Sequence, residues 1–203
     1  MLIGLDFDNT IADYDSVFAE AAIKEGLLAP GDATTKMGVR TKLFERLNGE
    51  RDWMRLQGKV YGAHMSQAEL IDGVGPFLNG CRNAGIPVRI VSHKTQFGHF
   101  DPDRINLRDA AMRWMSDKRF FGPAGYGLSE DMIFFESTRS EKVRRIAAIG
   151  CTHFVDDLIE VFDEPDFPAT TKRYLYVGSG GLAPKGEFEA FSDWRELTHE
   201  IFG

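Results

Sequence analysis

The stretch Leu2-Ile3-Gly4-Leu5-Asp6-Phe7-Asp8-Asn9-Thr10 decides how this chain is read. A short apolar run ends abruptly in two carboxylates spaced two residues apart. Such a run suits a buried strand, and its polar end suits the loop that follows. Four further runs have the same character: Ile86-Pro87-Val88-Arg89-Ile90-Val91, Met132-Ile133-Phe134-Phe135, His153-Phe154-Val155 and Tyr174-Leu175-Tyr176-Val177. Four of the five lead straight into polar residues. The first delivers Asp6 and Asp8, and the second Ser92, His93 and Lys94. The third leads to Glu136-Ser137-Thr138-Arg139 and then Lys142. The fourth delivers Asp156-Asp157. In open α/β sheets, ligands bind beyond the carboxyl ends of the strands. Four strand ends thus converge on carboxylates, a hydroxyl and a lysine.

Amphipathic segments separate the runs, which predicts a Rossmann-like three-layer α/β/α core with a mostly parallel sheet. Val74, Phe77, Leu78, Cys81 and Ala84 recur at helical spacing before Gly85. Leu107, Ala111, Trp114 and Met115 form a second stripe. Val143, Ile146 and Ala147 form a third that stops near Gly150, and a last helix covers Trp194 to Phe202. Residues 14–73 differ. They carry helical stripes (Phe18, Ala21, Ala22; Val39, Leu43, Leu47; Trp53, Leu56, Val60) and no convincing strand. The stretch is too long for a simple crossover. The expected organisation is therefore a core of residues 1–13 and 74–203 with a small helical cap insert at 14–73. Gly58 and Gly62 either weaken the last of those helices or mark a close approach of backbones.

The order of these pieces resembles the haloacid dehalogenase superfamily. Asp6-Phe7-Asp8-Asn9-Thr10 comes first, then Val91-Ser92, then Lys142, then Val155-Asp156-Asp157. The resemblance covers residues 1 to about 160 and implies a phosphatase-like hydrolase with a cap between its first two motifs. It implies that Asp6 is a nucleophile that takes a phosphoryl group, splitting one hard hydrolysis into two easier steps. Asp8 is then the acid that protonates the leaving oxygen and the base that activates water. In the family, this second Asp separates phosphatases and phosphomutases from dehalogenases, and its backbone carbonyl serves the metal. Ser92 is placed to donate to a phosphoryl oxygen and Lys142 to neutralise charge, with Arg139, Arg144 and Arg145 as competitors. Thr10 braces the loop by hydrogen bonding. Mg²⁺, which prefers oxygen ligands, is the expected cofactor, with Asp6, Asp8, Asp156 and Asp157 as the metal set. Asp157 either acts through water or holds Lys142, and Glu160 is a lesser candidate. His93, Lys94 and Thr10 are the expected substrate contacts.

Composition narrows the partners. The 203 residues carry a formal net charge of −7, which argues against a general nucleic-acid binder. A small phosphorylated metabolite is the expected substrate. No apolar run approaches transmembrane length, and no basic region followed by an apolar stretch opens the chain. Cys81 and Cys151 stand apart, which fits a reducing cytoplasmic setting better than a disulfide or zinc scaffold. Residues 36–59 hold seven basic residues against three acidic ones. That excess could attract a second anionic group, although a solvated helix face is the simpler reading. The run Gly178-Ser179-Gly180-Gly181 reads as a flexible turn and not a phosphate-binding loop. Three other functions compete. A phosphomutase or phosphotransferase would use the same aspartyl-phosphate with another acceptor. A signalling receiver would place its acidic pair first and its phosphorylated Asp on a middle strand, the reverse of the order here. A non-catalytic phosphate-binding or regulatory protein would not need every catalytic position filled.

Overall fold

The computed structural model describes residues 1–203 apart from 179, 180, 182 and 183. The turn expected at 178–181 thus falls partly outside the described residues. The chain divides into two compact units: one of residues 1–12, 70–94 and 118–203, the other of residues 13–69 and 95–117.

The first unit is built on a six-stranded sheet. Its strands are β1 (Ile3–Leu5), β4 (Val88–His93), β5 (Ile133–Glu136), β6 (His153–Asp156), β7 (Lys172–Tyr176) and β8 (Glu189–Phe191), in the order β5-β4-β1-β6-β7-β8. Every pairing in it is parallel. All carboxyl ends therefore lie along one edge. The strand order reverses at β1, the switch point at which such sheets bind ligands. The fold class expected from the alternating pattern is the one observed. Two very short strands, β2 (Ala12–Asp13) and β3 (Glu69–Leu70), pair separately.

Side chains alternate across the sheet. On one face Val91, Phe154 and Leu175 pack with Val143 and Ile146 of α6 (Arg139–Ala148) and with Phe162 and Phe167. On the other face Tyr176 and Phe191 meet Trp194 of α8 (Trp194–Phe202), which packs on Phe77 of α4 (Val74–Asn83) at 5.1 Å between ring centroids. Gly4 of β1 sits tightly under Phe154, for a Cβ there would lie 2.4 Å from Cδ2 of that ring. The sixth strand, β8, was not expected: Glu189-Ala190-Phe191 buries only its last residue and offers no apolar run.

The second unit is helical. It comprises α1 (Asp15–Lys24), α2 (Lys36–Phe44), α3 (Gly49–Tyr61), a 3₁₀ turn (Met65–Gln67) and α5 (Leu107–Asp117). Phe18 stacks on Trp53 at 5.0 Å, and Tyr14 meets Tyr61 edge-on at 4.9 Å. The boundaries differ from those expected from the sequence: residues 70–73 fall in the sheet unit, residue 13 falls in this one, and residues 95–117 pack with this unit and not with the sheet. Trp114 shows why, because its ring is buried there and its Nε1–H donates to the Ala68 carbonyl at 2.8 Å. Gly58 and Gly98 bring α3 and the 95–105 loop together, as a Cβ on Gly98 would lie 2.4 Å from the Gly58 Cα. Gly62 ends α3. Leu47, expected on a buried stripe, lies beyond the end of α2 and is 99% exposed. Among the described residues no helix is long and apolar enough to cross a membrane.

Candidate active site

The site lies at the carboxyl edge of the sheet. Asp6 directly follows β1, and its backbone N–H donates to the Val155 carbonyl at 2.8 Å, so the ladder to β6 continues through it. Asp156 is the last residue of β6 and Asp157 the next. One carboxylate oxygen from each of Asp6, Asp156 and Asp157 lies within 4.8 Å of the others. The turn after Asp6 closes tightly: Ile11 and Ala12 N–H groups both donate to the Phe7 carbonyl. Asn9 takes a left-handed φ of 59°, a conformation Asn tolerates better than most residues, and its Nδ2 donates to Asp157 at 3.3 Å.

Lys142 reaches this cluster from α6. That helix starts with a capping box, in which the Thr138 side chain accepts from the Glu141 N–H and Glu141 accepts from the Thr138 N–H. The box fixes the first turn, and Lys142 follows it directly. Its ammonium is buried and lies 2.5 Å from Asp6 Oδ1 and 2.6 Å from Asp156 Oδ2. Asp6 and Asp156 thus hold the Lys142 ammonium between them. Against the cost of burial, the carboxylates of Asp156 and Asp6 hold Lys142 above the usual lysine range. Burial pushes the Asp156 carboxyl up, and the nearby Asp6 charge adds to this, against the pull of Lys142. One ammonium does not fully compensate two buried carboxylates.

Asp8 is arranged differently. Its carboxylate faces Lys94, whose Nζ lies 3.0 Å from Oδ1 and 2.9 Å from Oδ2. Its side chain is thus not one of the clustered carboxylates, and any metal contact from Asp8 falls to its backbone. Lys94, expected as a substrate contact, is buried on this ion pair. His93 is exposed, with Nε2–H donating to the Ser137 carbonyl at 3.0 Å. Ser92 Oγ is buried and has no protein partner, which leaves a hydroxyl available to a ligand. Thr10 departs from expectation: its Oγ1 is buried without a partner, so it braces nothing by hydrogen bonding. The pairing of Lys94 with Asp8 was missed by sequence reasoning. The one signal was a lysine two residues beyond a strand-end serine, where a buried lysine needs a carboxylate.

A divalent cation fits this donor set. Three clustered carboxylates offer hard oxygen ligands. With Asp8, Lys94 and Lys142 included, the site holds two negative charges in excess. The incompletely compensated Asp156 points the same way.

No protein-family model matches the chain, and no curated protein matches it. Solved structures do. A haloacid dehalogenase family hydrolase from Deinococcus radiodurans, with bound phosphate and sodium, is 14% identical over 98% of this chain and 94% of its own, at a TM-score of 0.58. Protein tyrosine kinase A from Mycobacterium tuberculosis is 16% identical over 100% and 98%, at 0.64. A putative phosphoglycolate phosphatase from Lactobacillus plantarum is 13% identical over 99% and 98%, at 0.55. An L-2-haloacid dehalogenase is also similar. The strand order, the carboxylates at the ends of β1 and β6 and this likeness along nearly the whole chain agree: the protein has the fold of the haloacid dehalogenase superfamily of hydrolases.

Proposed function

We propose that the protein is a Mg²⁺-dependent phosphatase acting on a small phosphorylated metabolite, with Asp6 as the phosphoryl acceptor. The observation that carries this reading is the pair Asp6 and Asp8. One carboxylate lies in the cluster of three suited to a metal, at the switch point of the sheet. The other, two residues on, stands outside that cluster and is held by Lys94. A haloacid dehalogenase needs only the first, so the second favours phosphate chemistry over the dehalogenation performed by one structural neighbour.

In this account Asp6 Oδ attacks phosphorus and the P–O bond to the leaving group breaks. Asp8 gives that oxygen its proton. Asp8 then takes a proton from water, which attacks the aspartyl-phosphate and frees inorganic phosphate and the Asp6 carboxylate. Ser92 donates to a phosphoryl oxygen, and Lys142 offsets the charge developing there. Asp6, Asp156 and Asp157 would hold Mg²⁺, which supplies orientation of the phosphoryl group and relief of charge repulsion. The two free, buried cysteines suit a reducing compartment, and we place the protein in the cytoplasm. A phosphate-release screen over sugar phosphates, nucleotides and phosphorylated lipid precursors, with and without Mg²⁺, tests the reading. Release from at least one class only with Mg²⁺ is expected. Release from none, or release indifferent to chelation, would contradict it.

A further inference from the structure

We propose that Lys94 is a positioning residue that holds the Asp8 carboxyl in line with the leaving group. This rests on the phosphatase reading above.

Lysine is rarely buried, because removing an ammonium from water costs several kcal/mol unless a partner compensates. The Lys94 side chain is 2% exposed. Its place is fixed by the backbone: Lys94 N–H donates to the Glu136 carbonyl at 2.9 Å, extending the β4–β5 pairing by one residue. From there the side chain crosses the Phe7 ring, with Nζ 5.5 Å from its centroid, and ends on both oxygens of Asp8. Phe7 is itself fully buried between the two aspartates of the motif. A single contact would let the carboxyl turn about its last bond. Contact with both oxygens resists that turn.

The consequence is specific to one part of the reaction. Lys94 forms and breaks no bond. A general acid contributes only while its proton lies on line with the oxygen it serves, so a loosened Asp8 loses effective concentration at the leaving group. Esters with a basic leaving oxygen need that proton most. Esters whose leaving group departs easily as an anion need it least.

The test compares wild type with Lys94→Met on 2,4-dinitrophenyl, p-nitrophenyl and phenyl phosphate. We expect a loss of about threefold in kcat/KM, which reports the steps up to departure of the leaving group, on the dinitrophenyl ester and of about 100-fold on the phenyl ester, within the range of general acid catalysis. Asp8→Asn should steepen the same series, and the double variant should be no slower than Asp8→Asn alone. Lys94→Gln repeats the comparison should the Met variant not fold. An equal loss on all three esters, or losses that multiply in the double variant, would overturn the proposal and leave the phosphatase reading intact. A wild type that releases phosphate neither from these three nor from any of the metabolite classes above would overturn both.

Discussion

Lys142 is the residue on which the site's electrostatics turn. Its ammonium sits between two carboxylates, one of them wholly buried. Removing one partner of a buried ion pair commonly costs 3–5 kcal/mol, because the other charge is stranded. Lys142→Met should therefore lose about 3 kcal/mol of stability in metal-free urea denaturation. Part of that loss should be restored by Mg²⁺, since a cation can replace the missing charge among the carboxylates. A variant as stable as wild type without metal would contradict the ion-pair geometry. The clustering of Asp6 and Asp156 could be anticipated because each ends an apolar run. The Lys94–Asp8 pair could not. Its members are 86 residues apart in sequence, and only the parallel alignment of the strands brings them together.

Among the elements, β1 leads directly into Asp6, the proposed nucleophile, and its position depends on Gly4. The strand lies between β4 and β6, with Gly4 opposite Arg89 and Phe154. A Cβ at Gly4 would lie 2.4 Å from Phe154 Cδ2 and 2.7 Å from Cys151 Sγ, in a core without room to shift. Gly4→Ala should cost about 2 kcal/mol through overpacking, read as a lower urea midpoint with unchanged m. An unchanged midpoint would mean that the Phe154 ring moves freely. The helices α4, α5, α6 and α8 were legible from their apolar spacing, and Gly85 and Gly150 mark two stops, both with positive φ. β8 was not legible, because it has one buried residue and, among the described residues, no strand partner beyond β7. Leu47 misled for the opposite reason: helical spacing continued past the point where the helix ends.

At the scale of the whole molecule, composition set the class and packing drew the boundaries. A helical region between the first two motifs was legible from its stripes, though the segment in the helical unit is 13–69 and not 14–73. That residues 95–117 pack with it was not, because this depends on Trp114 finding the Ala68 carbonyl. The basic excess at 36–59 is partly neutralised inside its own unit: Lys59 lies 2.5 Å from Glu25, Arg55 3.7 Å from it, and Lys42 3.4 Å from Glu45. That favours the plainer reading of a solvated, ion-paired face. Both cysteines are buried, and burial pushes each thiol up to about 12. Native protein should accordingly leave both thiols unlabelled by an aromatic disulfide reagent for hours at neutral pH, and denatured protein should label both at once. Prompt labelling of either in the native state would contradict the core described here.

The central claim is that Asp6 receives the phosphoryl group, and peptide mass spectrometry on protein quenched in acid during turnover tests it most directly. The account predicts one phosphoryl group on the peptide that contains Asp6, present with Mg²⁺, absent after chelation, and absent in Asp6→Asn together with phosphate release. A phosphoryl group on another residue, or an Asp6→Asn variant that still releases phosphate at the wild-type rate, would contradict it.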